Sequence, residues 1–159
     1  MKRLFLIRHA KSSWDHPELR DIDRPLNEQG LHAAPLVKKA MKERNYQPDQ
    51  IFLSPSKRTR MTTELLFPEE STEVIDSFYG ATPGCIVHFL RELPNEIQAP
   101  ALIGHNPTWT DLHLRLLGKP LAKLPTCGII VMNFQCDHWS SFGDQPGELV
   151  DIIIPKHLS

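Results

Sequence analysis

The sequence predicts an α/β fold, and three observations carry that prediction. Short apolar runs suited to buried strands alternate with longer stretches whose apolar residues recur at helical spacing. No internal repeat and no low-complexity tract interrupts the alternation. The composition, 159 residues of which 40% are hydrophobic and 23% charged, is that of a chain able to bury a core without disulfides or a structural metal. One domain, residues 1–159, is expected.

Residues 3–7 read as a short buried strand, since every side chain from Leu4 to Ile7 is apolar. Asn27 then offers an N-cap for a helix running to about residue 44, with Ala33, Ala34, Leu36, Val37, Ala40 and Met41 on its apolar side. Pro35 lies inside that helix, and its missing N–H predicts a kink or a late start to regular helix. Residues 51–53 and 101–103 are two further buried strands. The first leads into Ser54-Pro55 and the second into Asn106-Pro107, each read as an N-cap with proline at the first helical position. Helices are therefore expected over 56–67 and 108–117, directly off the carboxyl ends of strands, and another near 83–93. The β-rich runs 128–134 and 149–154 are expected to extend the sheet at one side, with Pro155 ending the last strand.

The charge balance, 18 Lys plus Arg against 19 Asp plus Glu, lacks the basic excess that gripping nucleic acid or an anionic membrane requires. The three cysteines, Cys85, Cys127 and Cys136, form no C-x-x-C pair and read as reduced thiols in a cytoplasmic protein. The apolar run after Arg3 stops at Arg8, short of a signal peptide, and no run approaches the roughly 20 residues of a membrane span.

In an open α/β sheet, ligands bind where strand carboxyl ends meet loops and helix starts. Arg8 and His9 follow the first strand, Ser54 to Arg58 the second, and Gly104 to Asn106 a later one. Two histidines and two arginines at one rim, with helix N-terminal amides beside them, suit a phosphate. A strand-end histidine alone is ordinarily structural. Arg8 straight after four apolar residues needs an anionic partner, which a ligand would supply, as would a structural ion pair with Asp15, Asp21 or Asp23.

Four segments carry a family resemblance. Leu6-Ile7-Arg8-His9-Ala10-Lys11-Ser12-Ser13-Trp14 resembles the Arg-His-Gly signature of the histidine phosphatase superfamily, with Ala10 in place of the usual Gly. Asp23-Arg24-Pro25-Leu26-Asn27-Glu28-Gln29-Gly30 is similar to its Asp-x-x-Leu-x-x-x-Gly element, and Ser54-Pro55-Ser56-Lys57-Arg58-Thr59-Arg60-Met61-Thr62 to its Ser-x-x-x-Arg-x-x-x-Thr helix start. Leu102-Ile103-Gly104-His105-Asn106-Pro107 matches its second-histidine strand end. The four occur in order within roughly residues 1–117, and Lys-Ser-Ser-Trp with Arg-Pro-Leu-Asn-Glu points to the SixA-like branch.

The resemblance implies a three-layer α/β/α sandwich with a mostly parallel central sheet, phosphoglycerate mutase-like. It implies His9 as the nucleophile, carrying a transient phosphoryl group whose oxygens Arg8, Arg58 and a protonated His105 surround, with Ser12 brought towards the phosphate. No metal and no cofactor are implied. Thr62 could hold the helix start in place, and Arg60, about 200° round the helix from Arg58, is expected at the surface. Two departures matter. Asp15 stands where larger relatives have an Asn, and no carboxylate occurs between Ser77 and Arg91, where they carry a general acid.

A site without a dedicated acid suits a P–N bond, whose imidazole leaves more readily than an alkoxide. The expected activity is therefore a metal-independent phosphatase acting on phosphohistidine in a protein partner and releasing inorganic phosphate. Hydrolysis of a small phosphate ester and a non-catalytic phosphate-binding module are the alternatives. Zinc held by His9 and His105 would lack a third ligand of helpful spacing. Short connections predict a shallow, open site, with 14–24 as the natural lid.

Overall fold

In the computed structural model, which describes residues 1–159, the apolar run that opens the sequence becomes strand β1 (Lys2–Arg8). Its alternating side chains serve two cores. Phe5 and Ile7 point to one face, Leu4 and Leu6 to the other, and all four are at most 1% exposed. A strand apolar on both faces is stable only with a layer on each side. Helices α1 (Glu28–Glu43) and α2 (Lys57–Leu66) cover the first face, and α3 (Pro83–Arg91) and α4 (Thr108–Leu117) the second.

The remaining strands are β2 (Gln50–Leu53), β3 (Thr72–Val74), β4 (Pro100–Gly104), β5 (Ile129–Phe134) and β6 (Glu148–Ile153). They form one six-stranded sheet in the order β3-β2-β4-β1-β5-β6. The first four neighbours are parallel, with Leu6 opposite Leu102 and Ile51 opposite Ala101, whereas β5 and β6 add antiparallel pairs beside β1. Parallel pairing brings the carboxyl ends of β1, β2 and β4 to one rim. The α/β/α layering is as the resemblance implies, and the extension of the sheet at one side is as the sequence predicts.

Asn27 caps α1 by accepting from the Gly30 amide at 2.9 Å, and the helix is regular from Glu28, so Pro35 does not delay it. Pro35 is exposed on the outer face, where the Leu31 carbonyl it leaves unpaired can meet water. Gly30 is required by close approach, because a Cβ there would collide with the Lys11 carbonyl. That contact belongs to a short antiparallel return, in which the Ser13 amide donates to Pro25 O and the Asn27 amide to Lys11 O. Residues 14–24 are thereby an excursion pinched at its base.

Two helix starts differ from expectation. Ser56, not Ser54, caps α2, its hydroxyl accepting from the Thr59 amide. The N-cap position of α4 is Pro107, although the Asn106 side chain still accepts from the Thr110 amide at 3.3 Å and donates to Leu124 O at 3.0 Å. Strand β3 has no counterpart in the sequence reading, because all three of its residues are exposed and give no apolar run. No helix is long and apolar enough to cross a membrane.

Candidate active site

The rim gathers what each strand delivers at its end. Arg8 is the last residue of β1 and His9 follows it. The His9 backbone is fixed on both sides, its amide donating to Gly104 O at 3.0 Å and its carbonyl accepting from the Cys127 amide at 2.9 Å. One residue on, the Ala10 amide donates to Thr62 Oγ1 at 2.9 Å, and that hydroxyl donates to Arg58 O at 2.8 Å. Thr62 thus ties the first turn of α2 to the segment that carries His9. From β4, Gly104 leaves room for Trp109, whose ring would meet any Cβ there at 2.8 Å and whose indole N–H donates to Ile7 O at 2.8 Å.

His9 Nδ1 lies 2.7 Å from the Ala10 carbonyl, an acceptor only, so Nδ1 carries the proton and Nε2 keeps its lone pair. Burial pushes the His9 pKa down to about 4, the Ala10 hydrogen bond opposes this, and the positive charges of Arg58, Arg8 and Arg24 add to the fall. His105 faces it, with ring centroids 5.3 Å apart, and Ser54 Oγ lies 2.7 Å from its Nε2. Burial, then His9 and Arg58, bring the His105 pKa to about 3. His105 by itself is therefore neutral, because it stands among cations with too little water to carry a further charge, and the expected protonated imidazole requires the charge of an anion beside it.

Arg8 has no carboxylate partner. Its Nη1 donates to Leu124 O at 2.8 Å and its Nε is buried without any partner, while burial and then Arg58 lower its pKa. The three acids that could have paired with it are used elsewhere or exposed: Asp21 holds Arg58 and Arg24, Asp23 holds Arg20, and Asp15 points to solvent. A buried guanidinium with an idle donor is the signature of a site built for an anion. Ser12 is buried at the same cleft and accepts from Arg24 Nη2 at 2.5 Å, leaving its hydroxyl proton to donate. Arg60 lies outside the cleft, its Nε donating to Pro55 O.

His9, Arg8, Arg58, His105 and Ser12 thus line one cleft of about 920 Å³, of whose nineteen lining residues three are hydrophobic. Such polarity suits a phosphoryl group, not an apolar ligand. Sequence reasoning missed three members. Arg24 has its guanidinium 3.3 Å from the Trp14 ring centroid, the ring itself being 77% exposed at the cleft mouth. Asp21 and Tyr79 meet across the cleft, the phenol donating to Asp21 Oδ2 at 2.6 Å while its ring packs edge-on against His105. That bond, with those from Arg58 and Arg24, holds Asp21 far below the usual carboxylate range, so it is no general acid. No three His, Cys, Asp or Glu side chains are grouped to hold a metal ion.

The family model of the histidine phosphatase superfamily (branch 1) matches residues 4–77. An uncharacterized chloroplastic protein of Arabidopsis thaliana is 32% identical over 151 residues, covering 87% of this chain and 69% of its own. A candidate phosphohistidine phosphatase, SixA, from Agrobacterium tumefaciens superposes with a TM-score of 0.83 at 30% identity, covering 97% of this chain and 98% of its own. The protein histidine phosphatase SixA complexed with tungstate gives a TM-score of 0.84 at 22% identity over 98% of both chains, a likeness of fold.

Proposed function

The chain belongs to the histidine phosphatase superfamily, in its SixA-like branch, and on that premise we propose that it removes the phosphoryl group from phosphohistidine in a protein through a phosphoenzyme formed on His9. One observation carries the assignment to His9. It is a neutral imidazole with Nδ1–H committed to the backbone and Nε2 unpartnered among three guanidiniums. In the first step the Nε2 lone pair forms the N–P bond as the substrate's P–N bond breaks, and the departing imidazole takes a proton from water. In the second step water attacks phosphorus, the P–Nε2 bond breaks to restore the lone pair, and inorganic phosphate leaves. Arg8, Arg58 and the Ser12 hydroxyl stabilise the phosphoryl oxygens, and His105 joins them by taking up a proton as the dianion enters.

The carboxyls of the cleft support that substrate class. Asp21 is held ionised by Tyr79, Arg58 and Arg24, and Asp111, the other acid lining the cleft, stands exposed on α4 and forms no ion pair with the guanidiniums, so the cluster itself holds no carboxyl ready to protonate an alkoxide. A phosphoramidate makes the smallest demand for such a proton. Trp14, exposed at the mouth, offers a protein surface an aromatic contact. With a net charge of −1, docking depends on such local contacts instead of long-range steering.

Brief exposure to a labelled phosphoryl donor and an alkaline quench should trap base-stable, acid-labile label on the wild type and none on His9→Ala. Label retained by that variant sinks the assignment to His9, and an unlabelled wild type that binds phosphate supports a binding module. A phosphohistidine protein should then surpass a panel of sugar phosphates in kcat/KM. A sugar phosphate turned over tenfold more efficiently than every phosphohistidine protein reverses the substrate claim.

A further inference from the structure

The cleft brings Arg8, Arg24 and Arg58 together, and their mutual repulsion would splay them in the absence of a counter-charge. Asp21 is the carboxylate that touches two of them, Arg24 and Arg58. Its Oδ2 accepts from Arg58 Nη2 at 2.9 Å and from the Tyr79 hydroxyl, its Oδ1 accepts from Arg24 Nη1 at 3.0 Å, and its backbone carbonyl accepts from Arg58 Nη1 at 2.7 Å. Both arginine side chains are under 10% exposed, whereas that of Asp21 is half exposed. The carboxylate is therefore the wet, ionised end of a bracket whose cationic arms run inward.

We propose that Asp21 is a positioning residue for the reaction, locking Arg58 and Arg24 into one rigid pair whose unused N–H groups face the phosphoryl oxygens; this rests on the reading of the cleft as a phosphoryl-transfer site. The donor count allows it. Of the five N–H groups of Arg58, Asp21 occupies two, leaving three for an anion. Arg24 spends its Nε on Ser13 O, one Nη1 proton on Asp21 and one Nη2 proton on Ser12, leaving two. Asp21 holds one edge of each guanidinium and leaves donors free on both, an arrangement that fixes orientation without consuming the site. It also cancels one positive charge, so that product phosphate is held less tightly than three unopposed guanidiniums would hold it.

These two effects separate in kinetics. In Asp21→Asn the charge is lost and the amide N–H₂ confronts a guanidinium, so the arginines lose their fixed orientation while the cleft becomes more positive. The expected result is a kcat lower by on the order of 10²-fold, the scale of a misplaced reacting geometry. Inhibition by inorganic phosphate should be unchanged or tighter. Asp21→Glu, which keeps the charge, should recover part of kcat. Tyr79→Phe, which removes one hydrogen bond to Asp21 and leaves its charge, should lower kcat severalfold without weakening phosphate inhibition, and it decides the matter if Asp21→Asn fails to fold. A kcat within twofold of the wild type in Asp21→Asn, or in Tyr79→Phe where that variant decides, overturns the proposal. A loss of kcat matched by an equal loss of phosphate inhibition also overturns it, since Asp21 would then merely hold the loop. Failure of the underlying reading has a different sign: a wild type that forms no His9 phosphoenzyme.

Discussion

Arg58 and Arg60 sit two residues apart on one helix, and their surroundings assign them different duties. Arg58 is buried with its guanidinium in the cleft, whereas Arg60 donates to its own helix start at Pro55 O in the open. Arg58→Ala should lower kcat/KM by on the order of 10²-fold or more, as removing one preorganised donor does. Arg60→Ala should stay within about threefold, and equal losses in steady-state assays would refute the assignment. The Ser-x-x-x-Arg spacing made Arg58 legible before any coordinates, as the Arg-His pair did for Arg8 and His9. Asp21 and Tyr79 were not legible. They meet from loops 58 positions apart, and neither lies in a periodic run. Arg24 left a usable signal, since it stands inside the Asp-Arg-Pro-Leu-Asn segment already singled out. The neutral state of His105 could not be read from residue type, because it depends on burial and on His9, Arg58 and Arg8 beside it.

At the scale of elements, the seam between β1 and α2 depends on one hydroxyl. Thr62 accepts from the buried Ala10 amide and donates to Arg58 O, joining the segment that carries His9 to the turn that carries Arg58. Thr62→Val keeps the volume and strands the Ala10 N–H, so it should cost about 1–3 kcal/mol in denaturant unfolding. It should also lower kcat while leaving the helix content by circular dichroism intact. Unchanged stability would mean that water or a shift in backbone satisfies that amide. Elements with strong side-chain signals were legible: Asn27 marks the start of α1 as the sequence predicts, and the strands β1, β2 and β4 match their apolar runs within one residue at each end. The N-cap of α2 was misplaced by two residues because Ser54 and Ser56 both fit a cap, and the choice is made by a tertiary partner: Ser54 is engaged with His105.

For the whole molecule, the cleft makes stability depend on pH. An unfolded histidine titrates near 6.5, whereas folded His9 titrates at about 4 and His105 at about 3. Between these values the unfolded chain binds protons that the folded one refuses, so stability is full above about pH 6.5 and falls as the pH drops towards 4. For His9 alone the loss across that interval is roughly 3 kcal/mol, at about 1.4 kcal/mol per pKa unit. The His105 contribution is not simply additive, since the rings face each other. Thermal melts should show the midpoint falling over this range, less steeply in His9→Ala. Phosphate should narrow the drop, because an anion in the cleft lets His105 accept its proton. A midpoint flat from pH 7 to pH 4 would contradict the buried neutral pair.

The hydrogen bond from His9 Nδ1 to the carbonyl of its own neighbour also sets the regiochemistry that the proposed intermediate would have. Phosphorylation at Nδ1 would break that bond and set a dianion against a carbonyl oxygen, whereas Nε2 is reached without either cost. The phosphoenzyme proposed on His9 would thus be a single positional isomer, the tele-phosphoimidazole. The choice is made by a contact between adjacent residues of the chain, so it would not depend on the substrate.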